Sequence, residues 1–269
     1  MAAASRVAKT AAFAQGEDRA YWISWFNLPD ISAEKRQDFF NWAYESYVPK
    51  VLKRDRVLWG ALYASEAKGT YTPLGGGGRI SHKKNPRGVP IGDRYIMMFG
   101  APDIYALADP KPEAFHAKLN KTDRKMLALR TDERHNFMLE EGRIEGPGLA
   151  DNNPPLAPAP AIQLGSFNSG AWADEEEMAA WYAQWRLPSL TKLPGCVRVR
   201  KLVSVAGWAK HACFYEFNSL QLREKHFVYY EKPNKKMVRW STDVVRDTVH
   251  APGSANVASR IFYCLKSNT

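Results

Sequence analysis

WAYESYVP (42–49) and WYAQWRLP (181–188) are two versions of one helix end, each opening on Trp and closing on Pro seven residues later. Two further matches stand in the same order around them. Trp25-Phe26-Asn27 precedes the first and Ser166-Phe167-Asn168 the second. Lys125-Met126 with Thr131-Asp132 follows the first, and Lys236-Met237 with Thr242-Asp243 follows the second, at identical internal spacing. Three matches in register identify an internal duplication. The offset is 139 residues at the helix end and 111 at the Lys-Met pair, so the first half carries about 28 extra residues. Most of them fall in the Gly-rich stretch 66–92.

Around these anchors each half reads β-α-β-β-α-β, the ferredoxin-like order. In the first half, aromatic and β-prone residues 19–28 predict a strand that ends at Pro29. Ser32 then caps a helix with Phe39, Phe40, Ala43, Tyr44 and Tyr47 at helical spacing. Strands are expected at 56–65, 94–100 and 137–145, with a helical region over 111–135 that is broken at Asn120-Lys121-Thr122. The second half predicts strands at 161–168, 196–206, 211–217 and 258–266, a helix at 175–190 and a helical region over 219–247. GPGLADNNPPLAPAP, ending at Pro160, reads as an extended linker. The expected organisation is therefore an N-terminal arm (1–16), a first repeat (17–146) with the inserted basic loop 66–92, a linker (147–160) and a second repeat (161–269). Each four-stranded sheet would leave one apolar face open to water. Packing the two sheets together covers both faces, so the fold class is an α+β barrel of two tandem ferredoxin-like repeats, with an enclosed pocket expected between the sheets.

Composition sets the outer limits. The chain of 269 residues is 45% hydrophobic and 25% charged, typical of a folded globular protein. No stretch approaches the ~18–20 apolar residues of a membrane span, and the arm lacks the apolar core of a secretory signal. Cys196, Cys213 and Cys264 sit in apolar runs without metal-ligand spacing, so they read as core residues in a reducing, cytoplasmic setting. A net charge of +10 suits an anionic partner.

The helix ending in Trp181-Tyr182 and Pro188, followed by Leu193-Pro194-Gly195 and a strand, resembles the dimeric α+β barrel superfamily, with EthD-like and stress-responsive barrels nearest in pattern. The first half keeps Trp42 and Pro49. A His common in that pattern is replaced by Tyr47 in one half and Arg186 in the other. The resemblance implies the barrel fold and a range of activities, including isomerases, cyclases, lyases, cofactor-free monooxygenases and haem enzymes.

Candidate site residues follow from chemistry and position. Asn27 and Asn168 occupy equivalent strand ends, where they either orient a substrate carbonyl or phenol or simply start the turn. His82 and His211 are proton-transfer candidates near neutrality. His82 stands among Arg79, Lys83, Lys84 and Arg87 after four glycines, on a loop that either closes over a barrel mouth or is plain insertion. Tyr47 and Tyr95 are phenolic donors. Arg79, Arg186, Trp25, Tyr44 and Tyr215 would bind substrate. His116, His135, His226 and His250 are the histidines open to an axial haem role, without a signature for it. The leading expectation is an enzyme needing no metal or organic cofactor, using general acid–base catalysis on a small aromatic, acidic molecule. Lyase or isomerase chemistry comes first, and cofactor-free monooxygenation, haem binding and RNA binding are the alternatives. The RRM signature is missing from the third strand of each half, against an RNA partner. The duplication lets a monomer complete one barrel, and leaves room for a homodimer.

Overall fold

The computed structural model describes residues 17–66, 88–228, 230 and 233–267. Its centre is a closed, antiparallel, eight-stranded barrel. The strands are β1 (Ala20–Asn27), β2 (Trp59–Ser65), β3 (Tyr95–Ala101), β4 (Thr131–Glu145), β5 (Ala161–Asn168), β6 (Cys196–Ala206), β7 (His211–Phe217) and β9 (Asn256–Leu265), with a short β8 (Val249–His250) added to β5. The first half runs in the order β4-β1-β3-β2 and the second in the order β9-β5-β7-β6. Each sheet has two bare edges, and the edges meet. β4 pairs with β6 along Phe137–Glu145, and β2 pairs with β9 from Trp59↔Leu265 to Ser65↔Ala258. Closure leaves no unpaired rim for another chain to extend.

Side-chain alternation divides every strand between two environments. Inward positions hold Tyr21, Ile23, Trp25, Trp59, Tyr63 and Phe214 with smaller apolar residues, all fully buried. Among the described residues these side chains form one buried cluster in the middle of the barrel, where the sequence leads one to expect an enclosed pocket. Outward positions form two further cores under helices. In the first half, α1 (Ala33–Trp42) passes through a π-turn (Ala43–Tyr47) into α2 (Val48–Leu52), and packs Phe39, Tyr47, Val48 and Val51 on Trp22, Phe26 and Phe99. In the second, α6 (Asp174–Trp181) passes through a π-turn (Tyr182–Arg186) to a 3-10 turn (Pro188–Leu190) over Phe167, Cys213 and Tyr215. Fully burying each large apolar side chain contributes about 1.5–3 kcal/mol.

Several boundaries differ from the sequence reading. The region 111–135 breaks at Asn120, as the sequence leads one to expect, but ends earlier as helix. It holds α4 (Pro112–Ala117) and α5 (Lys121–Leu127), preceded by α3 (Ile104–Ala108), and β4 already begins at Thr131. Asn120 accepts from the Asp123 amide and caps α5, which separates it from α4. The region 219–247 likewise divides into α7 (Leu220–Leu222), a π-turn (Arg223–Phe227) and α8 (Lys235–Arg246). The second and third strands start at Trp59 and Tyr95. All three cysteines are free, and Cys196 and Cys213 are buried as expected. Among the described residues no helix is long and apolar enough to cross a membrane.

One end of the barrel is closed by charge. Arg200, fully buried, faces Asp18 at 3.1 Å and Glu216 at 2.6 Å, with Glu140 at 3.7 Å. Arg198 binds Glu216 at 3.0 Å, Arg143 binds Asp18 at 3.0 Å and Glu140 at 2.8 Å, and Trp59 Nε1 donates to Asp18 at 2.9 Å. The Pro-rich segment crosses this end. Its Ala159 amide donates to Glu216, its Ala157 carbonyl accepts from Arg198, and Tyr63 donates to the Ala159 carbonyl. Burial alone would raise the Glu216 pKa, but Arg198 and Arg200 outweigh it and hold the carboxyl below its ordinary range.

Arg200→Met strips the shared cation from three buried carboxylates and is expected to cost about 3–5 kcal/mol, read from urea denaturation at neutral pH. A loss under about 1 kcal/mol, the size of an ordinary point substitution, would deny the cluster its structural role. Because the folded pKa of Glu216 is depressed, its stabilisation is complete above the unfolded value of about 4.3 and fades as pH falls through the folded one. The wild-type denaturation midpoint should therefore decline with acid below that point, and Glu216→Gln should flatten the decline.

Candidate active site

The register of β6 on β7 decides which polar side chains share the outward face of the second half. Lys201 lies opposite Cys213, Val203 opposite His211 and Val199 opposite Tyr215. His211, Cys213 and Tyr215 therefore form one outward row beside Lys201. The covering helix adds Glu175 from its first turn, and Tyr182 and Arg186 from the two ends of its π-turn. In that turn the Leu187 amide reaches back to the Tyr182 carbonyl at 3.0 Å, one residue beyond the α-helical partner.

A proton relay runs across this layer. Lys201 Nζ lies 2.9 Å from His211 Nδ1 and 2.5 Å from Glu141 Oε2, and His211 Nε2 lies 2.7 Å from Glu175 Oε2. Glu175 also accepts from Lys210 Nζ at 2.8 Å and from Ser169 Oγ. Burial opposes its ionisation, but the hydrogen bonds from Lys210, Ser169 and His211 prevail and hold its pKa at about 2. Burial and then the charge of Lys201 push His211 below its ordinary value, with Glu175 pulling the other way. Burial also lowers Lys201, against the pull of Glu141. At neutral pH Glu175 is an anion and His211 a neutral ring. The network assigns the ring proton to Nε2, facing the carboxylate, and leaves the Nδ1 lone pair for the Lys201 ammonium. His211 Nδ1 thus accepts from the Lys201 ammonium, which Glu141 and the Leu202 carbonyl also hold, while Glu175 fixes the ring from its other side. Lys201 Nζ lies 5.3 Å above the Tyr182 ring.

Beside the relay, Arg186 Nε donates to Tyr215 Oη at 2.9 Å and Nη1 to Tyr230 Oη at 2.5 Å. Its guanidinium lies 5.1–5.5 Å from the rings of Trp181, Tyr215, Phe227 and Tyr230. Burial raises the Tyr215 and Cys213 pKa values, so both side chains stay protonated and act as donors.

The first half carries a different pair in the corresponding layer. Tyr47 ends its π-turn as Arg186 ends the other, and Tyr47 Oη lies 2.8 Å from His116 Nε2. The Tyr47 ring stacks on Trp42 at 5.3 Å, and the Arg130 guanidinium lies 5.8 Å from its centre. Burial, then the charges of Arg130, His135 and Arg54, lower His116 to about 4, while burial raises Tyr47 well above its usual value. The phenol therefore donates to a neutral imidazole.

The residues singled out by sequence do not form one cluster. His211, Arg186 and Tyr215 meet in the second layer. Tyr47 lies in the first layer, as does Tyr95, which packs on Phe26 and Phe40. Tyr44 is 50% exposed against Phe262. Trp25 points into the barrel. Asn27 Oδ1 accepts from the amides of Asp93 and Arg94, and Asn168 Oδ1 from the amide of Lys210, so both hold the chain where it enters the third strand of their half. His82 and Arg79 lie outside the described residues. Lys201 and Glu175 stand in the site without having been singled out, and His116, named by sequence only for a haem role, pairs with Tyr47 instead. The one sequence signal for Lys201 is the run Arg198-Val-Arg200-Lys201, which puts cations on both faces of a strand. Among the described residues, no group of three or more His, Cys, Asp or Glu side chains is placed to hold a metal ion.

No family model matches the sequence, and no curated protein matches it. Solved structures do. An anthrone oxidase-like protein superposes with a TM-score of 0.58 at 11% identity, over 94% of this chain and 95% of its own. A candidate monooxygenase of Lactobacillus acidophilus gives 0.55 at 10% identity, over 93% and 98% of the two chains. One from Fusobacterium nucleatum gives 0.54 at 9%, over 94% and 96%. The likeness is one of fold. It places the whole chain, both halves together, with the α+β barrel architecture.

The assigned tautomer and the pKa order are testable by nitrogen-15 NMR of His211 through a pH titration. A neutral ring protonated at Nε2 is expected at pH 7. Glu175→Gln removes the anion that favours the imidazolium, so the His211 pKa should fall further. A rise would overturn the assignment.

Proposed function

We propose that this chain is an enzyme that removes a proton from a small aromatic acid, a phenol or a carbon acid activated by a ring ketone, and passes the resulting anion to molecular oxygen. The observation that carries the reading is the Glu175–His211–Lys201 chain, which sets a carboxylate, an imidazole and an amine in line inside an aromatic layer; turnover begins once Lys201 has given up its own proton. Support for oxygen as the partner comes from the fold neighbours named as monooxygenases and as anthrone oxidase-like.

For a substrate whose reacting carbon is a methylene between two aromatic rings, the proposed steps balance with molecular oxygen as the oxidant. Lys201 takes one C–H proton, and the electron pair delocalises into the ring ketone. The carbanion carbon forms a C–O bond with oxygen, and a proton returns to give the hydroperoxide. Loss of the second C–H hydrogen and cleavage of the O–O bond then turn the methylene into a ketone and release one water. Carbon is oxidised and both oxygen atoms are reduced. Tyr182, Tyr215 and Arg186 supply donors and a cation for the developing phenolate. The lyase or isomerase step ranked first by sequence needs the same proton removal. The neighbours named as monooxygenases support putting oxygenation ahead of it in this reading.

We also read the two halves as tandem ferredoxin-like repeats of the EthD-like kind. Their common strand order and their paired π-turns ending in Tyr47 and Arg186 support this reading.

Oxygen uptake with anthrone-type ketones and polyhydroxylated phenols is the direct test. Lys201→Met and His211→Asn should each lower kcat/KM by about 10²–10⁴-fold while the protein stays folded. For the wild type, kcat/KM should rise with pH to a plateau whose midpoint lies below the ordinary lysine value of about 10.4. Uptake no faster than autoxidation, or full activity in Lys201→Met, would sink the proposal.

A further inference from the structure

The two ends of the barrel treat buried charge differently. At the end crossed by the Pro-rich segment, Arg143, Arg198 and Arg200 each face a carboxylate. At the other end stands Arg134, on the inward side of β4 and 5% exposed. Its guanidinium carbon lies 3.8 Å from the centre of the Trp25 ring. Among the described residues none of its three nitrogens, nor Trp25 Nε1 beside it, has a hydrogen-bond partner. Burial lowers its pKa to about 9, so it remains a cation at neutral pH. Asp93 acts on it through charge without hydrogen-bonding to it.

Other inward polar atoms at this end are also unmatched. Asn136 lies two residues beyond Arg134 on β4, and its Oδ1 has no donor. Ser166 Oγ on β5 and Asn256 Oδ1 at the start of β9 are buried and unpartnered too. The donor side of this group is a planar fork with a neighbouring indole N–H, and the acceptor side is two amide oxygens and a hydroxyl. An unpaired buried charge is costly, and a chain keeps one when something outside the chain completes it. The connection between β2 and β3 leaves from this same end.

We propose that the Arg134–Trp25 end of the barrel binds a small hydroxycarboxylate. The guanidinium takes the carboxylate by two parallel N–H bonds, as its geometry favours. Stacking on Trp25 covers one face of the fork. The acceptors Asn136, Ser166 and Asn256 suit the ligand's hydroxyl hydrogens. This site lies inside the barrel, separate from the Lys201 layer on its outer surface, and does not depend on the reaction proposed there.

The test uses the whole chain, with lactate, acetate, chloride and the neutral amide lactamide as probes at constant ionic strength. Calorimetric titration and thermal unfolding should show lactate binding and a Tm that climbs with its concentration. Acetate should bind more weakly, and chloride and lactamide should leave Tm unchanged. Arg134→Met should unfold no lower than wild type without carboxylate, since it removes an unpaired charge, and should lose the lactate-dependent rise. If Arg134→Met does not fold, Arg134→Lys keeps the charge without the fork and should weaken lactate at least tenfold. No heat and no Tm rise with lactate in the wild type overturns the proposal. So does a rise that survives in either variant, or an equal rise with chloride.

Discussion

Arg200 is the charge around which the barrel closes. It has no exposed surface, and the carboxylates it holds come from three places: Asp18 just before β1, Glu140 on β4 and Glu216 on β7. The first two belong to the first half of the chain, and Arg200 and Glu216 to the second. A buried ion pair of this kind stabilises little by itself compared with apolar packing, but it penalises every arrangement that leaves a member unpaired. Here it penalises sliding of β6 against β4, because a one-residue slip would turn Arg200 outward. The Pro-rich segment is fixed to the same cluster, so what reads as a tether in sequence is a structural cap over the barrel end.

Given that frame, both outer layers are built by the same means and hold different chemistry. A helix with a π-turn lies across the outer face of each sheet and delivers its last π residue to a buried position. In the first half that residue is Tyr47, paired with a neutral His116. In the second it is Arg186, among four aromatic rings. Only the second layer also holds a carboxylate, an imidazole and an amine in line. The two layers therefore differ at the level of side chains, chiefly through Lys201, Glu175 and His116.

Much of the architecture was legible because it rests on local patterns. Aromatic strands ending at Asn27 and Asn168, a Ser32 cap and paired Trp–Pro helix ends give the element order with little ambiguity. The start of β4 was hidden because TDERHN (131–136) is polar on both sides: Arg134 and Asn136 point into the barrel, while His135 faces the helices. The relay was hidden for a related reason. Whether Lys201 meets His211 depends on the register of two strands and on bulges such as that between Cys196 and Arg198, which shift the facing of everything after them. A histidine can be singled out by its type, but the lysine and glutamate that make it a base are found only through pairing.

The π-turns have a consequence for how such a chain can change over time. Each inserts one residue into a helix, and an α-helix advances about 100° per residue. Deleting that residue would restore regular hydrogen bonding, yet it would swing every later side chain, Pro49 or Pro188 included, about a quarter turn around the axis. Two packed faces would be lost to repair one backbone irregularity. Substitution at the last position of the turn carries no such penalty, provided the new side chain finds a partner. The irregular turn is therefore held in place by geometry, as a ratchet that blocks the return to a plain helix, while its occupant is left open to replacement. A phenol at the end of one turn and a guanidinium at the end of the other show that latitude.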